Sequence, residues 1–242
     1  KELAEQPIVF DVNLEDNSIK MNYMNGSYRI FGQSANEYPR MKGLEGEATS
    51  TVLPSEVLIN NINRTLFATA QDELRMVMNG LYFDLKEDYM AIVASDGHKL
   101  VRNRIYGCKT ETPASFILPK KPATLLRTVL AADGSDVTIR FNQSNAEVIY
   151  NDGMLSCRLI EGKYPNYNSV IPQDNPNRLT IDRKALISAL RRVMPFASES
   201  TQLVKLRIAN NSLEINSEDI EFATSARENV VCEYGGMPMS IG

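Results

Sequence analysis

The chain predicts an α+β fold made by repeating one kind of domain, and three observations predict it. Short runs alternate apolar and polar residues between Asn-Gly, Asp-Gly and Asp-Asn turns, the pattern of antiparallel meanders. Other runs carry apolar residues at three- and four-residue steps, the pattern of helices with one buried stripe. The chain also repeats itself. Pro7-Ile8-Val9-Phe10-Asp11-Val12-Asn13, Asn25-Gly26, Arg29 and Glu37-Tyr38-Pro39 recur as Asp136-Val137-Thr138-Ile139-Arg140-Phe141-Asn142, Asp152-Gly153, Arg158 and Lys163-Tyr164-Pro165. The spacing is roughly 130 residues, a whole-domain period and not a solenoid repeat.

Taken in order, Ile8, Phe10 and Val12, then Ile19, Met21 and Tyr23, then Tyr28 and Ile30 mark three strands turned by Asp16-Asn17 and Asn25-Gly26. No helix in the sequence stands ready to cover them. Gln33 to Pro39 reads as a loop and Met41 to Ala48 as a polar linker, so a boundary is expected at 48/49. Ser55 is the expected cap of a helix whose stripe is Leu58, Ile62 and Leu66, with Asn60, Asn63 and Arg64 opposite. Met76 to Leu85 and Tyr89 to Ser95 read as two strands, and Asp96-Gly97 turns the chain into a third.

Pro119 to Leu130 predicts a second helix, with Pro122 in its first turn and Leu125, Leu126, Val129 and Leu130 buried. Val137 to Phe141, Glu147 to Tyr150 and Leu155 to Ile160 are strands, the last two joined through Asn151-Asp152-Gly153. A third helix from Ile181 to Ala197 buries Leu186, Leu190 and Val193 and exposes Lys184, Ser188, Arg191 and Arg192. Val204 to Ile208, Leu213 to Ile215, Ile220 to Ser225 and Val230 to Tyr234 complete the strands. Against the repeat, residues 1–48 are the rear of one domain, 49–176 a whole domain and 177–242 the front of a third.

Composition narrows the function. A chain of 242 residues with 43% hydrophobic content has a sizeable core to bury, and no apolar run approaches a membrane span. Lys1-Glu2-Leu3 has neither a signal-peptide core nor an initiator methionine, so a cytoplasmic chain that begins partway into a longer product is expected. Cys108, Cys157 and Cys232 are odd in number and far apart, which argues for small apolar residues and against disulfides or zinc. No metal, cofactor or catalytic residue is expected, because the phosphate-cradle, metalloprotease and nucleophile-elbow signatures are all missing.

Two features stand out. Three cations and no acid lie in 120–132, and four cations against one acid in 182–194, inside a chain of formal net charge −4. Basic helices in an acidic chain suggest one polyanion-facing surface, or simply solvated helix faces. The other feature is Ser95-Asp96-Gly97-His98-Lys99-Leu100, which holds the only histidine. Asp-Gly is ordinary turn chemistry. An acid/base pair of Asp96 and His98 is the enzymatic alternative, but no nucleophile or orienting group stands at a recognisable spacing.

The stretch Met78-Asn79-Gly80, a strand pair and then Ser95 to Leu100 resembles the middle domain of the bacterial DNA polymerase III beta subunit, the sliding-clamp family, where the turn reads T-D-G-H-R-L. Ile117-Leu118-Pro119-Lys120-Lys121, Gly162-Lys163-Tyr164-Pro165-Asn166-Tyr167 and Val170-Ile171-Pro172 are similar to further motifs of that family, in the same order. The resemblance implies the DNA-clamp fold: domains of paired βαβββ halves, helices inside, antiparallel sheets outside, and two chains closing head to tail into a ring. It implies a non-catalytic processivity factor that encircles double-stranded DNA, with no cofactor.

By the resemblance, Lys120, Lys121, Arg127, Lys184, Arg191 and Arg192 would face DNA. Arg75, Val77, Met78, Ser95, Gly97, His98, Lys99, Leu100, Pro165 and Val170 would form the cleft for short glutamine-bearing apolar peptides of the polymerase catalytic subunit, the clamp loader and repair proteins. Val77 stands where some relatives carry an aromatic residue. A non-clamp α+β scaffold that docks peptides is the alternative.

Overall fold

The computed structural model describes residues 3–38, 43–44, 46–108, 110, 112–151 and 153–242. These form two compact units that divide between Pro165 and Asn166. Lys1, Glu2, Pro39, part of the 41–48 linker and Asp152 of the expected turn lie outside the described residues.

The first unit opens with an antiparallel sheet of β1 (Val9–Asn13), β2 (Ser18–Tyr23) and β3 (Gly26–Phe31). Its register pairs Phe10 with Met21, Val12 with Ile19, Ile19 with Ile30 and Met21 with Tyr28. The pleat therefore gathers these apolar residues on one face, while Asp11, Lys20 and Arg29 share the other. Phe10, Val12, Tyr28 and Ile30 are exposed, so the described residues leave that face uncovered.

Two βαβββ halves come next in the chain. The first is β4 (Thr49–Pro54), α1 (Ser55–Thr65), β5 (Gly80–Leu85), β6 (Tyr89–Ser95) and β7 (Leu100–Tyr106). The second is β8 (Ala114–Pro119), α2 (Lys120–Val129), β9 (Asp136–Phe141), β10 (Asn145–Tyr150) and β11 (Gly153–Arg158). Their leading strands are exchanged: β4 pairs with β9 and β8 pairs with β5. The sheets β11-β10-β9-β4 and β7-β6-β5-β8 are each completed by the other half, so the halves share one core. Both helices start directly after a proline, Pro54 or Pro119, whose missing N–H costs nothing at a strand-to-helix junction.

α1 packs on β6 and β7, α2 on β5, β8 and β11, and the helices touch each other. Leu58, Ile62, Ala123 and Leu126 meet Leu81, Phe83, Ile92, Val137 and Ile139 in a single cluster. Phe116 bridges the two sheets: its ring centroid is 4.6 Å from that of Phe83 and 4.3 Å from that of Phe141.

The structure corrects some sequence expectations. Ser55 is the first helical residue and not the cap; its hydroxyl meets Asp133 Oδ1 at 3.3 Å and its N–H donates to Ser135 O at 2.8 Å. In α2 the buried stripe is Ala123, Leu126 and Leu130, while Leu125 and Val129 are exposed. A 3.6-residue period fits either stripe, and tertiary packing chooses. Met76–Met78 is a 3-10 turn and not strand.

The second unit contains β12 (Leu179–Ile181), α3 (Arg183–Val193), β13 (Lys205–Ala209), β14 (Ser212–Asp219), β15 (Thr224–Tyr234) and β16 (Met239–Ile241), ordered β12-β15-β14-β13-β16. Asp182 caps α3 by accepting the Ala185 N–H at 2.7 Å. Ala189 and Val193 pack on Ile208, Leu213 and Ile215, with Leu186 and Leu190 half-buried beside them. Of the expected strand at Ile220 to Ser225, residues 220–223 are instead the turn of one long hairpin, held by Asp219 Oδ1, which accepts the Glu221 and Phe222 amides, while Thr224 and Ser225 open β15. The compact units part at 165/166, so the 3-10 turn Tyr167–Val170 falls in the second unit.

Candidate functional site

The turn between β6 and β7 is built by its own side chains. Asp96 Oδ1 accepts the His98 and Lys99 amides, both at 2.9 Å, and Oδ2 pairs with the Lys99 ammonium. Ser95 Oγ accepts the Gly97 N–H at 3.1 Å and donates to Lys99 O at 2.9 Å. The Lys99 ammonium, then the amides of Lys99 and His98, hold the Asp96 carboxyl far below the usual carboxylate range. Both its oxygens are engaged in making the turn, which is an Asx turn and not a carboxylate orienting an imidazole.

Gly97 has φ +92°, and a Cβ there would meet Arg75 Nη1 at 2.7 Å, so the guanidinium lies directly over the turn. Arg75 is aimed by Asp72, whose Oδ2 accepts its Nε–H at 2.7 Å. Asn79 in turn clamps that loop: its Oδ1 accepts the Asp72 N–H at 3.0 Å and its Nδ2 donates to Asp72 O at 2.9 Å. Asp72 and Asn79 lie outside the set of site residues that the sequence predicts. Asn79 was visible only as part of the Met-Asn-Gly string.

Arg75, Val77, Met78, Ser95, Gly97, His98, Lys99, Leu100 and Pro165 all belong to the first unit, and Val170 to the second. Arg75, Gly97, His98, Lys99 and Pro165 are exposed, Val77 and Leu100 half-buried. Met78 is core, 7% exposed, and offers little surface. Val170, at 68% exposed, is far from being core.

The cationic helices differ from one another. α2 puts Lys120 and Lys121 in its first turn with no acid and no side-chain cap. The macrodipole makes that end positive already, so two lysines there work against helix stability and raise the local positive potential. Among the described residues no carboxylate pairs with Lys120, Lys121, Arg127, Lys184 or Arg191. Arg192 is the exception, with Nε 2.6 Å from Glu228 Oε1. Glu228 raises the Arg192 pKa and Arg192 lowers that of Glu228, the two directions of one ion pair.

Lys120 also lines an open depression of about 480 Å³ together with Phe67, Gln71, Asp72, Arg75, Asp96 and Lys99. Of the residues expected to face DNA, Lys120 thus adjoins Arg75 and Lys99 of the expected peptide cleft, although the sequence suggests separate surfaces. The cysteines are free; burial pushes the Cys157 thiol up to about 11, the behaviour of a packing residue. Among the described residues no group of His, Cys, Asp and Glu is placed to hold a metal, and no helix is long and apolar enough to cross a membrane.

Comparison with known proteins decides the family. Residues 52–166 match the model of the DNA polymerase III beta subunit central domain, and residues 168–242 match that of its C-terminal domain. The chain belongs to the DNA polymerase III beta subunit family. A beta sliding clamp of Synechococcus elongatus is 29% identical over 239 residues, covering 96% of this chain and 63% of the relative. One of Pseudomonas aeruginosa is 25% identical, covering 97% and 64%. The solved DNA polymerase III subunit beta of Pseudomonas aeruginosa superposes with TM-score 0.88 at 24% identity, over 99% of this chain and 66% of that one. The beta subunit of Thermotoga maritima gives 0.82 at 25% identity, over 96% and 63%. The fold is the DNA-clamp fold, and the chain spans a little under two thirds of the length of the curated relatives it matches.

Proposed function

We propose that this chain is part of a non-catalytic, cytoplasmic processivity factor of the replicative DNA polymerase. Two copies of the intact protein close into a ring around duplex DNA, and the ring slides without reading sequence. The observation that carries this reading is the charge placement: in a chain of formal net charge −4, Lys120, Lys121 and Arg127 of α2 and Lys184 and Arg191 of α3 have no carboxylate partner among the described residues. A cationic lining attracts phosphates as a summed field and carries no base information, so the protein is held and still moves.

The turn at Ser95–Leu100, with Arg75, Val77 and Pro165, docks apolar glutamine-bearing peptides of the polymerase catalytic subunit, clamp loader and repair proteins. The self-contained turn supports this, since a rigid surface loses little entropy on binding. The engagement of Asp96 with its own turn supports a role without catalysis. Primer extension by a bacterial replicative polymerase on a long, singly primed template tests the reading. Product length should rise severalfold with the intact protein and its loader, and unchanged product length would reject the proposal.

A further inference from the structure

The segment after β11 is an extended strap laid across the first unit. Its start is pinned twice: the Leu159 N–H donates to Ser144 O at 2.8 Å and the Ile160 N–H to Ile117 O at 3.0 Å. Beyond that start, Ile160, Gly162 and Tyr164 are the residues that meet the body of the unit. The Ile160 side chain lies over Gly80, where an added Cβ would come within 3.0 Å of its Cδ1. Gly162, with φ +126°, sits against Val77, whose Cγ1 a Cβ would meet at 2.8 Å. Tyr164 is 6% exposed and lies flat on Tyr82, ring centroids 4.6 Å apart and 4° from parallel.

Between these contacts the strap is loosely packed, with a cavity of about 380 Å³ lined by Tyr82, Ile117, Glu161, Gly162, Lys163 and Tyr164 among others. The strap is therefore held at points and not along its length. Two of those points bear on the docking surface: Gly162 touches Val77, and the Tyr164 hydroxyl lies by the Ser95 backbone. That hydroxyl is buried and has no hydrogen-bond partner among the described residues. It approaches the Ser95 backbone without reaching hydrogen-bond geometry, so the ring stacked on Tyr82 carries most of the hold on the residue. Pro165, the next residue, is itself part of the docking surface.

We infer that Tyr164 is a positioning residue: its stack on Tyr82 holds the strap down and thereby fixes Val77 and the 95–100 turn from behind, without contact to a docked peptide. The inference rests on the docking reading above. Tyr164 lies within the string Gly162-Lys163-Tyr164-Pro165-Asn166-Tyr167, and nothing in that string separates a positioning role from a docking one.

Two measurements on the intact protein test it, amide hydrogen exchange and binding of a fluorescein-labelled glutamine-bearing apolar peptide. Tyr164→Leu should speed exchange at Gly97, His98 and Lys99, leave α2 unchanged, and weaken the peptide roughly three- to tenfold, the range set by a lost aromatic stack. Tyr82→Leu should reproduce this from the other side of the stack. Tyr164→Phe keeps the ring and removes the orphan hydroxyl, so it should restore both readouts. Unchanged exchange at the turn in both leucine variants overturns the inference, and so does protection lost throughout the unit, which would mark a purely structural role. If the wild type fails to bind any such peptide, the docking reading falls, while the exchange data still decide whether Tyr164 holds the turn.

Discussion

Arg192 on α3 and Glu228 on β15 meet head to head, Nε to Oε1 and Nη2 to Oε2, each at 2.6 Å. Of the cations expected to face DNA it alone has a carboxylate partner among the described residues. Arg192→Ala should therefore change DNA binding little, whereas Glu228→Gln should free the guanidinium. The expected result is a salt dependence of binding steeper by up to about one counterion, measured by anisotropy across a salt series. The pair is exposed, so neither substitution should shift the thermal midpoint appreciably.

Lys121→Glu separates function from stability. An acid in the first turn of α2 complements the macrodipole and should stabilise the unit by about 0.3–1 kcal/mol. The same substitution reverses a charge on the proposed DNA-facing surface and should weaken duplex binding at low salt. Thermal unfolding and DNA anisotropy on the same sample check both signs. A loss of stability together with unchanged DNA binding would mean that these lysines are merely solvated.

The peptide surface has its own pH behaviour. The folded Asp96 pKa lies below its ordinary value of 3.8, chiefly through Lys99, so its contribution is fully present above that value and is lost as pH falls through the folded pKa. Asp72, held low by Arg75, behaves in the same sense. On account of these two groups, peptide affinity should stay flat from neutral pH down to about pH 5, well above the aspartate range. Asp96→Asn removes the ion pair with Lys99 and should weaken the peptide and speed exchange at His98 and Lys99 even at neutral pH. In the same assay Leu100→Asp should abolish binding, and unchanged affinity would reject the site.

In the core, Gly80→Ala should destabilise the first unit by about 1–3 kcal/mol, as overpacking does. A Cβ at Gly80 would lie 2.5 Å from Leu118 O, a backbone atom of the paired strand β8 that has no freedom to move away. Phe116→Ala should cost more, about 3–5 kcal/mol, because that ring joins both sheets. Denaturant midpoints check both.

Much of this was legible in the residues. Leu58, Ile62 and Leu66 announced α1, and the alternation through Val137, Ile139 and Phe141 announced β9. What escaped were the leading strands β4, β8 and β12. Each is short and precedes a helix, and its partner is distant in sequence: Thr51 pairs with Ile139, and Leu81 with Leu118. No local pattern encodes such pairing. Met76 to Met78 looked like strand because apolar runs carry no sign of the Asn79 clamp that curls them. Ile220 and Phe222 looked like strand too, yet sit exposed at a hairpin tip that Asp219 closes.

The site divided along the same line. The residues of the 95–100 turn are contiguous, so one string displayed them; Arg75 and Asp72 reach the turn only through the loop that Asn79 closes. The cations were legible as charge runs. Their pairing was not, since Glu228 is brought to Arg192 by the hairpin of β14 and β15.

Retention on circular DNA tests the central claim most directly. The intact protein, loaded onto a nicked plasmid, should stay bound through gel filtration at moderate salt and be lost when the plasmid is cut once. Equal retention before and after cutting, or none on the circle, would contradict an account in which closure around the duplex holds the protein.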